Sequence, residues 1–231
     1  MSDSAPRLQH MPNRRAPVLN VTESRHDATF LKRISRVVHS ALDEAPNLSF
    51  LEAQGKVMFL ALGCKVTIES VQRFASLGLP EFHLYCRKSA KEFERRRPIV
   101  EALQTRKNCA AFLTEKRSVE NYLHRQVVHT SVGCGIAVND DMDVPYTLAR
   151  RFLTDVGTDW SQMPRRTRRT EIQSARKWLC TRAPRIMTLA LLERRDPRYE
   201  LVDWLMTIDS MVALQSPSTD EVCAADSALI A

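Results

Sequence analysis

The chain has 231 residues, 44% hydrophobic and 26% charged, which is enough apolar material to bury one good core, or one core and a smaller helical unit, and which speaks against a disordered or fibrous protein. Lysine and arginine (34) outnumber aspartate and glutamate (27) for a formal net charge of +7, and the excess lies in two arginine runs, Arg95, Arg96, Arg97 and Arg165, Arg166, Arg168, Arg169, a composition suited to phosphate or to a solvated basic face. The six cysteines (64, 86, 109, 134, 180, 223) form no Cys-x-x-Cys, which rules against a zinc ribbon or thioredoxin-type motif; the longest apolar run, residues 57–62, is far too short for a bilayer, and the polar opening is no signal peptide, so a reducing cytoplasm and no membrane are expected.

Residues 1–16 are expected to be disordered. Residues 17–22 predict a first strand. After Glu23-Ser24-Arg25-His26-Asp27, the apolar positions Phe30, Leu31, Ile34, Val37, Val38 and Leu42 form one helical stripe, broken at Pro46-Asn47. Residues 57–62 predict a second buried strand ended by Gly63. Thr67 is placed to cap a helix carrying Ile68, Val71, Phe74 and Ala75, closed by Gly78 and Pro80. Residues 82–85 predict a third strand leading into Cys86-Arg87-Lys88. A basic helix with Phe93, Ile99, Val100 and Leu103 follows, then a fourth strand at 110–113. Strands alternating with helices of this length imply right-handed crossovers, a parallel sheet and helices on both faces.

The expected fold is therefore α/β: a Rossmann-like parallel sheet flanked by helices over residues 17–132, a small helical C-terminal subdomain over 133–213, and a flexible tail over 214–231. Within the subdomain, residues 133–143 predict a loop carrying Asp140, Asp141 and Asp143. Helical patterns follow Pro145 and recur at 172–179, 186–192 and 201–211, with a linker at 158–169 holding the second arginine run.

In an open parallel sheet, ligands gather at the carboxyl ends of the strands. The first strand delivers Glu23 there, with Asp27 one helical turn later; the third delivers Cys86, Arg87 and Lys88; Glu120 follows the fourth. Glu120 lies in Lys-Arg-Ser-Val-Glu-Asn-Tyr-Leu (116–123), between Val119 and the pair Tyr122/Leu123. A carboxylate at the edge of a core needs a partner, either Lys116 or Arg117 or a bound cation. Three converging acids can hold hard cations such as magnesium, and two such ions can activate a water and stabilise a leaving oxygen in phosphodiester cleavage. Equally, Glu23 and Asp27 stand at a helix start, where acids complement the dipole.

Other constellations carry less. His124 and His129 are five apart and do not share a helix face. His83 is three residues before Cys86 on one strand, so it faces away and supplies that thiol no base. The acidic loop lacks calcium-loop spacing. No P-loop occurs, so no ATP site is expected.

Three segments taken in order resemble the TOPRIM nuclease domain of the OLD-family ATP-dependent endonucleases: Glu23…Asp27…Phe30-Leu31-Lys32-Arg33-Ile34-Ser35-Arg36, residues 78–85, and 112–123 with its Glu-Asn-Tyr-Leu. The helix Ala175-Arg176-Lys177-Trp178-Leu179 resembles the family's C-terminal helical part, and the likeness runs from residue 18 to residue 212. The resemblance implies a TOPRIM-like domain that binds two divalent ions, Mg2+ or Mn2+, and cuts DNA. It places Glu23, Asp27 and Glu120 at metal positions, and Glu23, Glu120 and Lys177 at catalytic ones, with the lysine as a point charge on the developing oxyanion. The arginine runs would lie on DNA. The ATPase would be a separately encoded partner, and a homo-oligomer stays open.

The chain departs from the family after the third strand, where an acid-x-acid pair is replaced by Cys86 and Lys88. Ser24 stands for a glycine, and Cys64-Lys65 follow Gly63 where more glycines are common. Exchanging two carboxylates for a thiol and an ammonium shifts the local charge by about three units, so magnesium is expected to bind weakly or not at all. Lys88 would then neutralise Glu23 and Glu120 in its stead. The expected function is a metal-dependent DNA endonuclease domain with impaired catalysis, or alternatively an inactive DNA-binding or ATPase-docking module.

Overall fold

The computed structural model describes residues 16–63 and 66–215; the expectations for residues 1–15, for Cys64-Lys65 and for 216–231 lie outside the described residues. Four strands, β1 (Val18–Thr22), β2 (Val57–Ala61), β3 (Glu81–Tyr85) and β4 (Cys109–Leu113), form one all-parallel sheet in the order β2-β1-β3-β4. Val18 pairs with Val57, Asn20 with Phe82, and Phe82 with Ala110. The central strands β1 and β3 are buried along their whole length, whereas the edge strands β2 and β4 are buried only in part.

The helices are α1 (Arg25–His39), α2 (Leu48–Ala53), α3 (Ile68–Ala75), α4 (Ala90–Gln104), α5 (Arg125–Val132), α6 (Val144–Asp155), α7 (Arg165–Thr181), α8 (Leu189–Arg195) and α9 (Glu200–Ala213). Their starts follow local chemistry. Ser24 and Asp27 close a reciprocal capping box on α1, and Thr67 does the same with Ser70 on α3. Ser89, Asp143 and Thr188 accept backbone N–H bonds at the starts of α4, α6 and α8.

Three readings of the sequence are corrected. The first helix ends at His39 and leaves Leu42 exposed, so Pro46-Asn47 does not break it; Asn47 instead caps the short α2. The supposed linker at 158–169 ends early: Arg165, Arg166, Arg168 and Arg169 form the first turns of α7. The helix expected at 186–192 is split by Met187-Thr188 into a 3-10 turn at Ala183–Ile186 and α8.

One face of the sheet, with Val18, Phe82 and Leu84, packs on Phe30, Leu31 and Ile34 of α1 in a core that also takes in Leu179 of α7 and Trp204, Leu205 and Ile208 of α9. The segment 133–213 thus shares its core with the sheet. The other face sets Tyr85 and Ala111 against Val71 of α3 and Ile99, Val100 and Leu103 of α4. The chain leaves β1 toward β2 on one side and then crosses to β3 on the other. The crevice beyond the carboxyl ends of β1 and β3 is therefore the topological switch point, the usual ligand position in such sheets. Among the described residues no helix is long and apolar enough to cross a membrane.

Candidate functional site

Glu23 leaves the end of β1 and Cys86 the end of β3, so both enter this crevice. Asp27 comes from the first turn of α1, and Glu120 from a 3-10 turn, Val119–Tyr122, that follows β4. All four are buried: Glu23 and Asp27 are 2% exposed, Cys86 1% and Glu120 0%. One ligand atom from each of Glu23, Asp27 and Cys86 lies within 4.8 Å of the others. The sequence-expected acids do come together.

They do not come together alone. Glu23 meets Lys88 Nζ at 2.8 Å through one oxygen and Arg96 Nη2 at 2.6 Å through the other. Glu120 accepts from Arg176 Nε at 2.5 Å, and the same guanidinium stands 4.0 Å from Asp27. Three carboxylates face three fixed cations, and the buried cluster is electrically balanced. Lys88 reaches Glu23 from a left-handed backbone (φ 54°), costly for a side-chain-bearing residue, with its N–H bonded to the Arg117 carbonyl at 2.7 Å.

Arg96 is buried on α4, also pairs with Glu92 at 3.1 Å, and donates to the Cys86 carbonyl. It is therefore withdrawn from the DNA-contacting set expected of it. Its neighbours Arg95 and Arg97 lie on the surface but pair with acids of their own helix, Glu92 for Arg95 and Glu94 and Glu101 for Arg97. Lys177 is likewise displaced. It is exposed, one helical step out of phase, while its neighbour Arg176 points at the carboxylates.

The partner of Glu120 is also not the one its neighbourhood suggested. Lys116 pairs with Asp140 at 2.9 Å and Arg117 with Asp143 at 3.3 Å, so the acidic loop absorbs both. Asn121 Oδ1 accepts from the Ser118 N–H (3.1 Å) and hydroxyl (2.7 Å), while its amide nitrogen donates to the carbonyls of Asn139 (2.8 Å) and Met142 (3.0 Å). The Tyr122 hydroxyl donates to Glu200. The Glu-Asn-Tyr-Leu turn is thus clamped on both sides, and Glu120 has no way out of the core.

Titration follows from this geometry. Burial pushes the Asp27 carboxyl up to about 6, with Arg176 pulling the other way and Glu120 and Glu23 adding to the rise. Burial also works against ionised Glu120, but the charge and hydrogen bond of Arg176 outweigh it and hold that carboxyl below its ordinary value. Burial, then the surrounding carboxylates, push the Cys86 thiol well up, and Cys180, whose Sγ lies 3.7 Å from Glu120, rises for the same reasons. Neither thiol is a nucleophile here.

The donor set does not fit a magnesium ion. A hard cation needs several carboxylate oxygens, but both Glu23 oxygens face cations and one Asp27 oxygen accepts the Ser24 N–H at 2.9 Å in the capping box. The buried oxygens Asp27 Oδ1 and Glu120 Oε2 lack hydrogen-bond partners, yet Arg176 stands beside both side chains. A second group of potential ligands, Glu81, His83 and Cys109, lies on the opposite face of the sheet. There His83 Nε2 lies 2.7 Å from a Glu81 carboxylate oxygen, its Nδ1 lies 3.0 Å from the Tyr85 hydroxyl, and Arg106 closes on Glu81. That ladder satisfies itself.

Comparison with family models, with curated proteins and with solved structures found no match to this chain.

Proposed function

We propose that this chain is a TOPRIM-type nuclease domain of the OLD family by descent, whose carboxylate site is neutralised from within, and that it acts as a non-catalytic DNA-binding or ATPase-docking module. The observation that carries this reading is the pairing of Glu23, Asp27 and Glu120 with Lys88, Arg96 and Arg176. A divalent ion entering this site would bring two positive charges next to three that cannot leave the fold. Its dehydration would go uncompensated.

The DNA part is supported by the start of α7. Arg165, Arg168 and Arg169 line a recess of about 260 Å³ with Tyr146 and Trp160. Four arginines in the first turns oppose the helix dipole, at a cost of about 0.3–1 kcal/mol each where a charge sits in the first turn. Among the described residues none of the four makes an ion pair. Guanidiniums beside aromatic rings suit a phosphate backbone with a base stacked against it.

The test is plasmid cleavage with Mg2+ and with Mn2+, beside isothermal titration of each metal into the wild type and into Cys86→Asp/Lys88→Asp. No cleavage and no saturable metal binding are expected of the wild type. Metal-dependent cleavage abolished by Glu120→Gln would overturn the non-catalytic reading. Anisotropy titrations of duplex DNA over a salt series test the surface. Affinity should fall steeply with salt, with a slope of roughly −3 to −4 for four phosphate contacts, and Arg165→Glu/Arg169→Glu should remove most of it.

A further inference from the structure

A second, separate arginine group stands on the outer side of α1. Arg33 and Arg36 of α1 and Arg185 of the 3-10 turn before α8 line one groove of about 420 Å³, and no acidic residue lines it. Among the described residues none of the three makes an ion pair. Arg36 and Arg185 are exposed, and Arg33 is half-buried. The crowding is felt electrostatically: burial, then Arg185 and Arg36, lower the Arg33 pKa. Between the guanidiniums the floor is apolar, built from Val37, Pro184 and Met187.

We propose that this groove binds the phosphate of a nucleotide, with the sugar and base laid on the apolar floor. Three guanidinium forks can each offer two N–H donors to a tetrahedral oxyanion, a match that a carboxylate with two oxygens does not exhaust. The volume falls within the usual range for small-ligand sites, about 300–1,000 Å³, and exceeds what inorganic phosphate fills. Arg33 is six residues beyond Asp27 on α1, roughly 9 Å along the axis, so the groove is distinct from the carboxylate cluster. It is equally distinct from the arginines of α7, and the inference does not depend on the DNA reading. The nucleotide has two sources, a free mononucleotide or the phosphorylated end of a strand.

The test uses the full chain, with AMP, adenosine, inorganic phosphate, and an oligonucleotide with and without a 5′-phosphate as probes. Wild type should bind AMP more tightly than phosphate or adenosine. Arg36→Glu/Arg185→Glu, at two exposed positions, should weaken it at least about tenfold, the loss expected for one charge-assisted contact. Arg165→Glu on α7 should leave it unchanged. In Arg165→Glu/Arg169→Glu, a 5′-phosphorylated oligonucleotide that binds more tightly than both its unphosphorylated twin and AMP assigns the strand end, and the reverse assigns the free nucleotide. The proposal is overturned if no probe binds saturably, if AMP binds no better than phosphate, or if the double variant, folded by circular dichroism, binds as wild type does.

Discussion

Removing Arg176 is the sharpest perturbation of the carboxylate cluster. In Arg176→Met the stem is replaced by a chain of similar girth, while the charge that lies 2.5 Å from Glu120 and 4.0 Å from Asp27 disappears. At 4 Å, a pair of unit charges is worth about 4 kcal/mol at the effective dielectric of protein sites. Part of that is offset by the desolvation of Arg176 itself, whose side chain is 15% exposed. Breaking a buried pair from one side costs about 3–5 kcal/mol, so we expect a loss of that size at pH 7.5 in urea melts, or a Tm lower by roughly 10 °C. The loss should shrink at pH 4.5, where the abandoned carboxylates can take up protons. Glu120→Gln combined with Arg176→Met should recover part of it, with a coupling energy of about 2 kcal/mol in the double-mutant cycle. A loss below about 1 kcal/mol, or one equal at both pH values, would refute the view that Arg176 neutralises the two acids.

Two further outcomes follow from the same cluster. With the Asp27 carboxyl raised from 3.8 to about 6, the folded chain holds a proton there that the unfolded chain has released, so this group favours folding more as pH falls from 7 to 4. Against Asp27→Asn, which can still accept the Ser24 N–H, wild-type stability should rise by about 2 kcal/mol across that window; a flat difference in urea melts would remove the buried carboxyl as its cause. Below 4.5 the opposite sign sets in, since depressed Glu120 loses its contribution as it protonates. The thiols give a chemical readout: Cys86 and Cys180, buried and raised, should resist iodoacetamide at pH 8 in the native state and react on unfolding, as followed by mass spectrometry.

The strands and the sheet's direction were legible because each strand is short, carries at least three apolar residues, is bounded by turn residues and is separated from the next by a helix. The convergence of Glu23, Asp27 and Glu120 was legible for a related reason, since parallel strands bring their following residues to one edge. The cations that meet them were harder to see, because Arg96 and Arg176 sit inside basic stretches whose other members face solvent. Helix phase held the signal. Arg96 shares a stripe with Ile99, Val100 and Leu103, and Arg176 shares one with Ile172, Leu179 and Cys180, at the three- and four-residue spacings of a buried face. A charged residue on an apolar stripe asks for a buried partner of opposite sign. Lys177, chosen for its basicity, is off that stripe. The partners of Lys116 and Arg117 were hidden for another reason, since the loop carrying Asp140 and Asp143 reaches them only through tertiary packing.

Lys88, one of the two positions where the proposed TOPRIM reading expects an acid, is thus only part of how this site is neutralised, since Arg96 and Arg176 share the task. Restoring both acids would set five carboxylates against Arg96 and Arg176, and the deficit of positive charge would then favour a divalent ion. The excess would not be shared evenly. Positions 86 and 88 adjoin Glu23, where the exchange also removes the Lys88 ammonium that lies 2.8 Å away. Asp27 and Glu120 would remain tied to Arg176, which no substitution at 86 or 88 touches. The ion such a variant gains is therefore expected beside Glu23. A second ion beside Glu120, as two-ion cleavage requires, must wait for Arg176 to go as well. Two-ion binding is therefore opposed twice over, once at the end of β3 by Lys88 and once from α7 by Arg176, and a substitution at either place alone leaves the other intact.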